Sequence, residues 1–260
     1  MKGSYYVNCA FYQGQDFAVR SHALSAEYPE ITAPNIWPDD DVLPSFREIF
    51  EKLCTLIIDV AVLVARACDR YASAFIEGYE RSYLEQVVRS SVITKARLLH
   101  YFPQNSVGKE QLEEDSWCAT HIDHGCLTGL TSAMYIDEAA NPPVVPSPNG
   151  KSLPPLSPLL GPPDPSAGLY IHARDSDVVK VSIPSDNLAF QTGEALQLIT
   201  KGKFRAVPHF VKAQGTTRPG MKVARNTLAV FTQPDLQDVV DKQAGITFGE
   251  LSREVMGRFG

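Results

Sequence analysis

The chain has 260 residues, 44% of them hydrophobic and 21% charged, with a formal net charge of −6. That length suits one domain with a large core, or one with a small appendage, and an acidic balance without a basic block argues against nucleic-acid binding. Five cysteines without a CxxC pair argue for reduced intracellular thiols rather than a disulfide framework or a zinc knuckle. No charged n-region followed by an apolar h-region opens the chain. The most apolar run, 56–67, is too short to span a bilayer and contains Asp59 and Arg66. The expectation is a cytoplasmic monomer without a membrane partner.

The first 41 residues show little periodicity. Pro29, Pro34 and Pro38 interrupt them, and Trp37 looks like the anchor of an ordered loop. The start at Met1 is abrupt for a domain, and the expectation is of a further N-terminal portion. From Leu43 the pattern is helical: Leu43, Phe46, Phe50, Leu53, Ile57, Val60, Val64, Ala67 and Tyr71 recur three and four apart. Pro44 suits the first turn, and Gly78 is placed to end the helix. Ile49, Leu56, Leu63 and Phe75 widen the stripe, as expected of a helix packed on a sheet. A coiled-coil dimer is the alternative, with sparse e/g charge pairs against it. A second helix is expected over 80–89.

Beyond it the texture is β. A strand is expected over 96–102, a polar connection over 104–116, and β structure over 120–136, with Gly125 and Gly129 as bulge or turn points. The Pro-rich stretch 141–166 reads as a long surface loop. Short strands follow at 168–173, 178–183, 188–191, 195–200, 205–212 and 226–232, separated by turn residues, which argues for an antiparallel sandwich or barrel. A last helix is expected over 249–259, with Thr247 and Glu250 spaced as a capping box.

Chemistry concentrates at His121-Ile-Asp-His-Gly125. If Ile122 lies in a strand, alternation puts His121 and Asp123 on one face, where they could share a metal ion. Taken alone, His-x-Asp is a weak signal. Two later features sharpen it: His209 in an apolar strand, then Arg225-Asn-Thr227. Two histidines and a carboxylate leave three positions open on a six-coordinate metal, the arrangement for non-haem Fe(II) chemistry with O2. An arginine beside a hydroxyl suits a carboxylate clamp. His124 reads as structural or supporting, and Cys118 and Cys126 as small buried residues.

Here the sequence resembles the 2-oxoglutarate- and Fe(II)-dependent oxygenases, in their isopenicillin-N-synthase-like branch. Lys95-Ala-Arg-Leu-Leu-His-Tyr-Phe-Pro103 is similar to the "NYYP" strand of that family, and His121-Ile-Asp-His-Gly-Cys-Leu-Thr-Gly-Leu130 to "HTDxGxLTxL". Gly168-Leu-Tyr-Ile171 with Val178-Val-Lys-Val181 resembles "GLQV…W…V". Gln191-Thr-Gly-Glu-Ala-Leu-Gln-Leu198 with Thr200-Lys-Gly202 resembles "N-GD-LQ…-NG". His209 stands at the distal histidine, and Arg225-Asn-Thr227 at "RxS".

The resemblance implies a mainly β fold with flanking helices: a double-stranded β-helix, or cupin-like jelly roll, with the long helix packed outside. Residues 1–95 would be a helical support region and 96–260 the catalytic domain. His121, Asp123 and His209 would hold Fe(II), and Arg225 with Thr227 would hold 2-oxoglutarate, with no catalytic residue beyond the metal ligands. O2 would be consumed, 2-oxoglutarate would leave as succinate and CO2, and a small molecule would be hydroxylated, desaturated or demethylated. Ascorbate is a candidate addition. His100 and Phe102 stand where the commoner pattern has Asn and Tyr, and alternation is expected to send Tyr101 away from the cosubstrate. That departure, together with the late start, motivates the alternative of a catalytically impaired binding module, and a jelly-roll hydrolase or lyase is a third reading.

Overall fold

The computed structural model describes residues 2–15, 28, 33–103, 117–145, 153–214 and 220–257. The expected connection at 104–116, part of the Pro-rich loop and the end of the last helix lie outside them. The chain opens with β1 (Lys2–Asn8), the long helix α1 (Phe46–Phe75) and the short helix α2 (Tyr83–Ser90). Strands β2 (Lys95–Tyr101), β3 (Cys118–His121), β4 (Leu127–Thr131) and β5 (Met134–Asp137) follow. After the Pro-rich segment come β6 (Gly168–His172), β7 (Val178–Val181), β8 (Leu188–Thr192) and helix α3 (Glu194–Ile199). The last elements are β9 (His209–Lys212), β10 (Val223–Thr232), the pair β11 (Val239–Asp241) and β12 (Ile246–Thr247), and helix α4 (Phe248–Gly257).

The result is mainly β with flanking helices. The larger sheet runs β1-β2-β10-β4-β8, with β5 also paired to β10, and the smaller runs β3-β9-β6-β7. The pairs in both are antiparallel. Because side chains alternate across a strand, each face of the larger sheet has its own core. Val7, Ala96, Leu228, Val230 and Leu127 face α1 and pack with Ile57, Ile58, Ala61 and Val62. Leu99, Tyr101 and Ala229 face the smaller sheet and pack with Leu169 and Val211. The second face holds the cavity.

Helix α1 keeps the expected period but not the expected phase. Its buried face is Phe50, Cys54, Ile57, Ile58, Ala61, Val62, Ala65, Cys68 and Ala72. Leu53 and Tyr71, assigned to the stripe, are exposed, as are Ile49, Leu56, Leu63 and Phe75. The buried residues include alanines and cysteines, so the helix can lie close on the sheet. Gly129 shows how close: a Cβ there would stand 2.5 Å from Ile57 Cγ2. Gly129 is therefore a mid-strand contact point rather than a bulge or turn; the β4–β8 register runs through it without a shift. The helix starts two residues after Pro44, and Gly78, at φ +70°, follows its end.

Two further expectations change. The predicted strand 195–200 is the helix α3. Glu, Ala, Leu and Gln are good helix formers, and so short an apolar run reads equally as strand or helix. Its buried residues, Ala195, Leu196 and Ile199, have helical spacing. Conversely, the N-terminal segment without periodicity contains β1, hydrogen-bonded along β2. Trp37 does anchor its loop, edge-on to Tyr5, Phe46 and Phe50. The capping box is present: Thr247 N donates to Glu250 Oε2 at 2.8 Å, and Glu250 N to Thr247 Oγ1 at 3.3 Å. None of the five cysteines is in a disulfide. Among the described residues no helix is long and apolar enough to cross a membrane.

Candidate metal centre

His121 ends β3 and His209 begins β9, and the two are directly paired across the smaller sheet. Their rings lie 4.2 Å apart, centroid to centroid. Asp123 completes the group. Its Oδ1 lies 3.8 Å from His121 Nε2 and 3.9 Å from His209 Nε2, and the ligand atoms all fall within 4.8 Å of one another. The convergence does not come from strand alternation. The strand stops at His121, Ile122 is exposed, and Asp123 sits in the following loop. The loop turns the carboxylate back toward the two imidazoles.

The backbone of that loop is held by α3. Glu194 N donates to Asp123 O at 2.8 Å, and Ala195 N lies 3.1 Å from both His124 O and Gly125 O. These donors belong to the first turn of a helix, which has no internal partner for them. Gly193 permits the contact, since a Cβ there would stand 2.3 Å from Gly125 O. Gly125 is equally confined, with Thr232 O 2.8 Å from where its Cβ would be. The residues resembling "N-GD" thus brace the ligand loop.

Side chains orient the ligands as well. Thr128 Oγ1 donates to Asp123 Oδ2 at 2.6 Å. Gln191 Nε2 donates to the same oxygen at 3.2 Å and faces His209 Nδ1 at 2.7 Å and Nε2 at 3.2 Å. His121 Nδ1 faces Ala119 O at 2.8 Å and His209 Nδ1 faces Val207 O at 3.1 Å. A proton on His121 Nδ1, given to the Ala119 carbonyl, leaves its Nε2 lone pair for a metal, and His209 Nδ1 is flanked by the Val207 carbonyl and the Gln191 amide. Burial lowers the pKa of His209, while the Cys118 thiol beside His121 raises that of His121. His124 takes no part: its ring stacks on Phe248 with centroids 5.6 Å apart.

The three ligands line a cavity of about 220 Å³ between the sheets, and Arg225 and Thr227 line it too. Arg225 is 6% exposed, and its Nε and Nη1 are buried without a hydrogen-bond partner. Its guanidinium lies 5.2 Å from the centre of the Tyr101 ring. Arg225 and Tyr101 are direct partners between β10 and β2, which puts both side chains on the cavity face. The expected direction of Tyr101 is therefore reversed. His100 and Phe102 point out of the cavity, where His100 Nδ1 meets Asn226 Oδ1 at 2.7 Å and the two rings lie 4.5 Å apart. Sequence reading missed Tyr101, Thr128 and Gln191 as site residues. Thr128 and Gln191 stood inside recognised motifs, but their roles depend on strand pairing.

No protein-family model matches this sequence, and no curated protein matches it. Solved structures do. A Caulobacter crescentus protein assigned to the 2OG-Fe(II) oxygenase family superposes with a TM-score of 0.64 at 17% identity, over 100% of this chain and 70% of that one. The fold is that of the 2OG-Fe(II) oxygenases. A Shewanella oneidensis protein assigned as an oxygenase gives 0.60 at 19% identity, over 100% and 71% of the two chains. A full-length Neurospora crassa protein in complex with alpha-KG gives 0.58 at 15% identity, over 94% of this chain and 59% of that one. The cluster of His121, Asp123 and His209 lies within the fold shared with these structures.

Proposed function

We propose that this chain is an Fe(II)- and 2-oxoglutarate-dependent oxygenase of the isopenicillin-N-synthase-like branch. The two sheets are read as halves of a double-stranded β-helix, with 96–260 as catalytic domain and 1–95 as support, β1 adding a strand. The observation that carries the reading is a pairing of features: a His-Asp-His cluster and a buried arginine with two unpaired donors, both facing one cavity. Buried donors of a cation left without an acceptor are costly, and the carboxylate of a bound anion removes that cost. His121, Asp123 and His209 would hold the metal, and Arg225 the distal carboxylate of 2-oxoglutarate, with Thr227 and the Tyr101 hydroxyl beside it. When bound with O2, metal and cosubstrate supply the oxidising chemistry and release succinate and CO2. Thr128 and Gln191 hold the ligands in place, and α3 fixes the loop. The substrate is a small molecule, ascorbate an accessory and the cytoplasm the expected compartment; the protein acts as a monomer.

The binding-module alternative loses one of its two motives, since His100 and Phe102 do not face the cavity. Anaerobic titration with Fe(II) and then 2-oxoglutarate tests the reading. Wild type should develop the visible band of the iron chelate, Asp123→Ala should not, and Arg225→Ala should need about tenfold or more cosubstrate. In air, wild type should release succinate. Equal release by wild type and Asp123→Ala would sink the oxygenase reading, and unchanged cosubstrate demand in Arg225→Ala would sink the clamp.

A further inference from the structure

The cavity is cationic in an acidic protein. Lys2, Arg97, Lys180 and Arg225 line it, and Asp123 is its one carboxylate among the described residues, in a chain of net charge −6. A divalent metal, Asp123, Arg225 and the 2-oxoglutarate dianion together balance to neutrality. Among the described residues of the lining, Lys2, Arg97 and Lys180 then remain without a balancing charge.

Arg97 is the best placed of the three. Its Nε and Nη2 donate to Ser4 Oγ at 3.0 and 2.7 Å, and its guanidinium lies 4.8 Å from the centre of the Tyr6 ring. These partners are neutral, and among the described residues no carboxylate is within ion-pair distance of it. The group is oriented but keeps its charge, with Nη1 and the second hydrogen of Nη2 left to bind a carboxylate side by side. Lys2 Nζ contacts Cys118 Sγ at 3.4 Å, and Lys180 Nζ donates to Pro165 O. Both are exposed and sit at the mouth.

Arg97 cannot belong to the clamp. Tyr101 is the direct partner of Arg225, and Arg97 lies four residues away on the same face of β2, about 13 Å along the strand. Arg97 is instead in register with Ala229 and, through it, with Leu130 on β4. Two strand spacings, about 10 Å, span that row, and Thr128 beside Leu130 touches Asp123. The wall between is apolar: Leu99, Leu130, Ala229 and Phe231.

We propose that the oxidised substrate is a small amphipathic carboxylate, anchored at Arg97 with its apolar body lying across β10 toward the metal. Lys2 and Lys180 draw the anion to the mouth. A planar guanidinium favours a carboxylate over a single-point ligand. The proposal rests on the oxygenase reading, because only a filled clamp leaves Arg97, among the described residues, as an oriented cation still to be paired.

Calorimetry in the presence of Mn(II) and saturating 2-oxoglutarate tests it. The probes are matched acids and amides, from phenylacetate and phenylacetamide to octanoate and octanamide, with phenylphosphonate as a third arm. The best acid should bind about tenfold or more tightly than its amide and more tightly than the phosphonate. Arg97→Met should lose that preference and Arg97→Lys should keep part of it, while both bind 2-oxoglutarate like wild type, which also reports that they fold. Equal binding of acids and amides, no binding by any acid, a preference for phosphonate, or a preference surviving Arg97→Met would overturn the proposal. So would acids that displace 2-oxoglutarate, since they would occupy Arg225. Failure of wild type to bind 2-oxoglutarate at all is a different result and counts against the oxygenase reading itself.

Discussion

Asp123 is the residue on which the site converges, and Gln191 is the residue that ties it to His209. The Gln191 amide lies 3.2 Å from Asp123 Oδ2 and within 3.2 Å of both ring nitrogens of His209. It is also buried, 7% exposed, so water cannot take its place at low cost. Removing a group that orients metal ligands commonly weakens metal binding by about 10- to 100-fold. We therefore expect Gln191→Ala to weaken Mn(II) binding by that factor, measured from the resonance of free Mn(II), while Asp123→Ala abolishes it. An unchanged Mn(II) affinity in Gln191→Ala would show that the amide merely fills space. The contrast with the ligands explains what the sequence disclosed. His121, Asp123, His209, Arg225 and Thr227 could be picked out by residue type, order and resemblance, because metal and anion chemistry admit few alternatives. Gln191, Thr128 and Tyr101 have no such signature. Tyr101 was sent the wrong way because its facing is set by its partner on β10, and one residue of register reverses every side chain of a strand.

Among the elements, α1 and β4 are coupled most directly to the site. β4 carries Thr128, which holds Asp123, and on its other face Gly129 meets Ile57 of α1. Ile57 is fully buried, so its methyl cannot swing away from an added Cβ. Gly129→Ala should cost about 1–3 kcal/mol through overpacking. Ile57→Ala alone should cost about 2–5 kcal/mol by opening a cavity. Together they should be strongly non-additive, because the alanine methyl at 129 enters the space that Ile57 Cγ2 vacates. Denaturant unfolding of the four proteins measures the coupling, and simple additivity would mean that the helix does not bear on Gly129. The period of α1 was legible from sequence; its phase was not. Periodicity locates an apolar stripe, but on this helix apolar residues continue around to Leu53, Leu56 and Leu63. The buried side was decided by the small residues Ala61, Ala65 and Ala72, which allow close approach. Helix α3 was hidden for a related reason, since six residues cannot establish a period. β1 was hidden because one of its faces carries the exposed residues Lys2, Ser4 and Tyr6 rather than a dry core.

At the scale of the whole molecule, the site is assembled from both sheets and from both ends of the chain. β3 and β9 bring His121 and His209, β10 brings Arg225, β2 and β1 bring Tyr101 and Lys2, and α3 braces the Asp123 loop. None of these groups stays together if the sheets separate, so ligands that need all of them bind the folded state alone. Such binding stabilises a protein by RT ln(1 + [L]/Kd), about 2.7 kcal/mol at a hundredfold excess over Kd. For a chain of this size each kcal/mol raises Tm by about 2–4 °C. Mn(II) with 2-oxoglutarate at that excess should therefore raise Tm by roughly 5–10 °C. The cosubstrate should do little without metal, because the clamp then holds one end of it only. In Arg225→Ala the metal should still stabilise, while 2-oxoglutarate at the same concentration, now at most about tenfold over its Kd, adds no more than about 1.4 kcal/mol. A 2-oxoglutarate shift of full size in Arg225→Ala, or in wild type stripped of metal, would place the cosubstrate elsewhere on the protein and separate the cationic cavity from the His-Asp-His cluster.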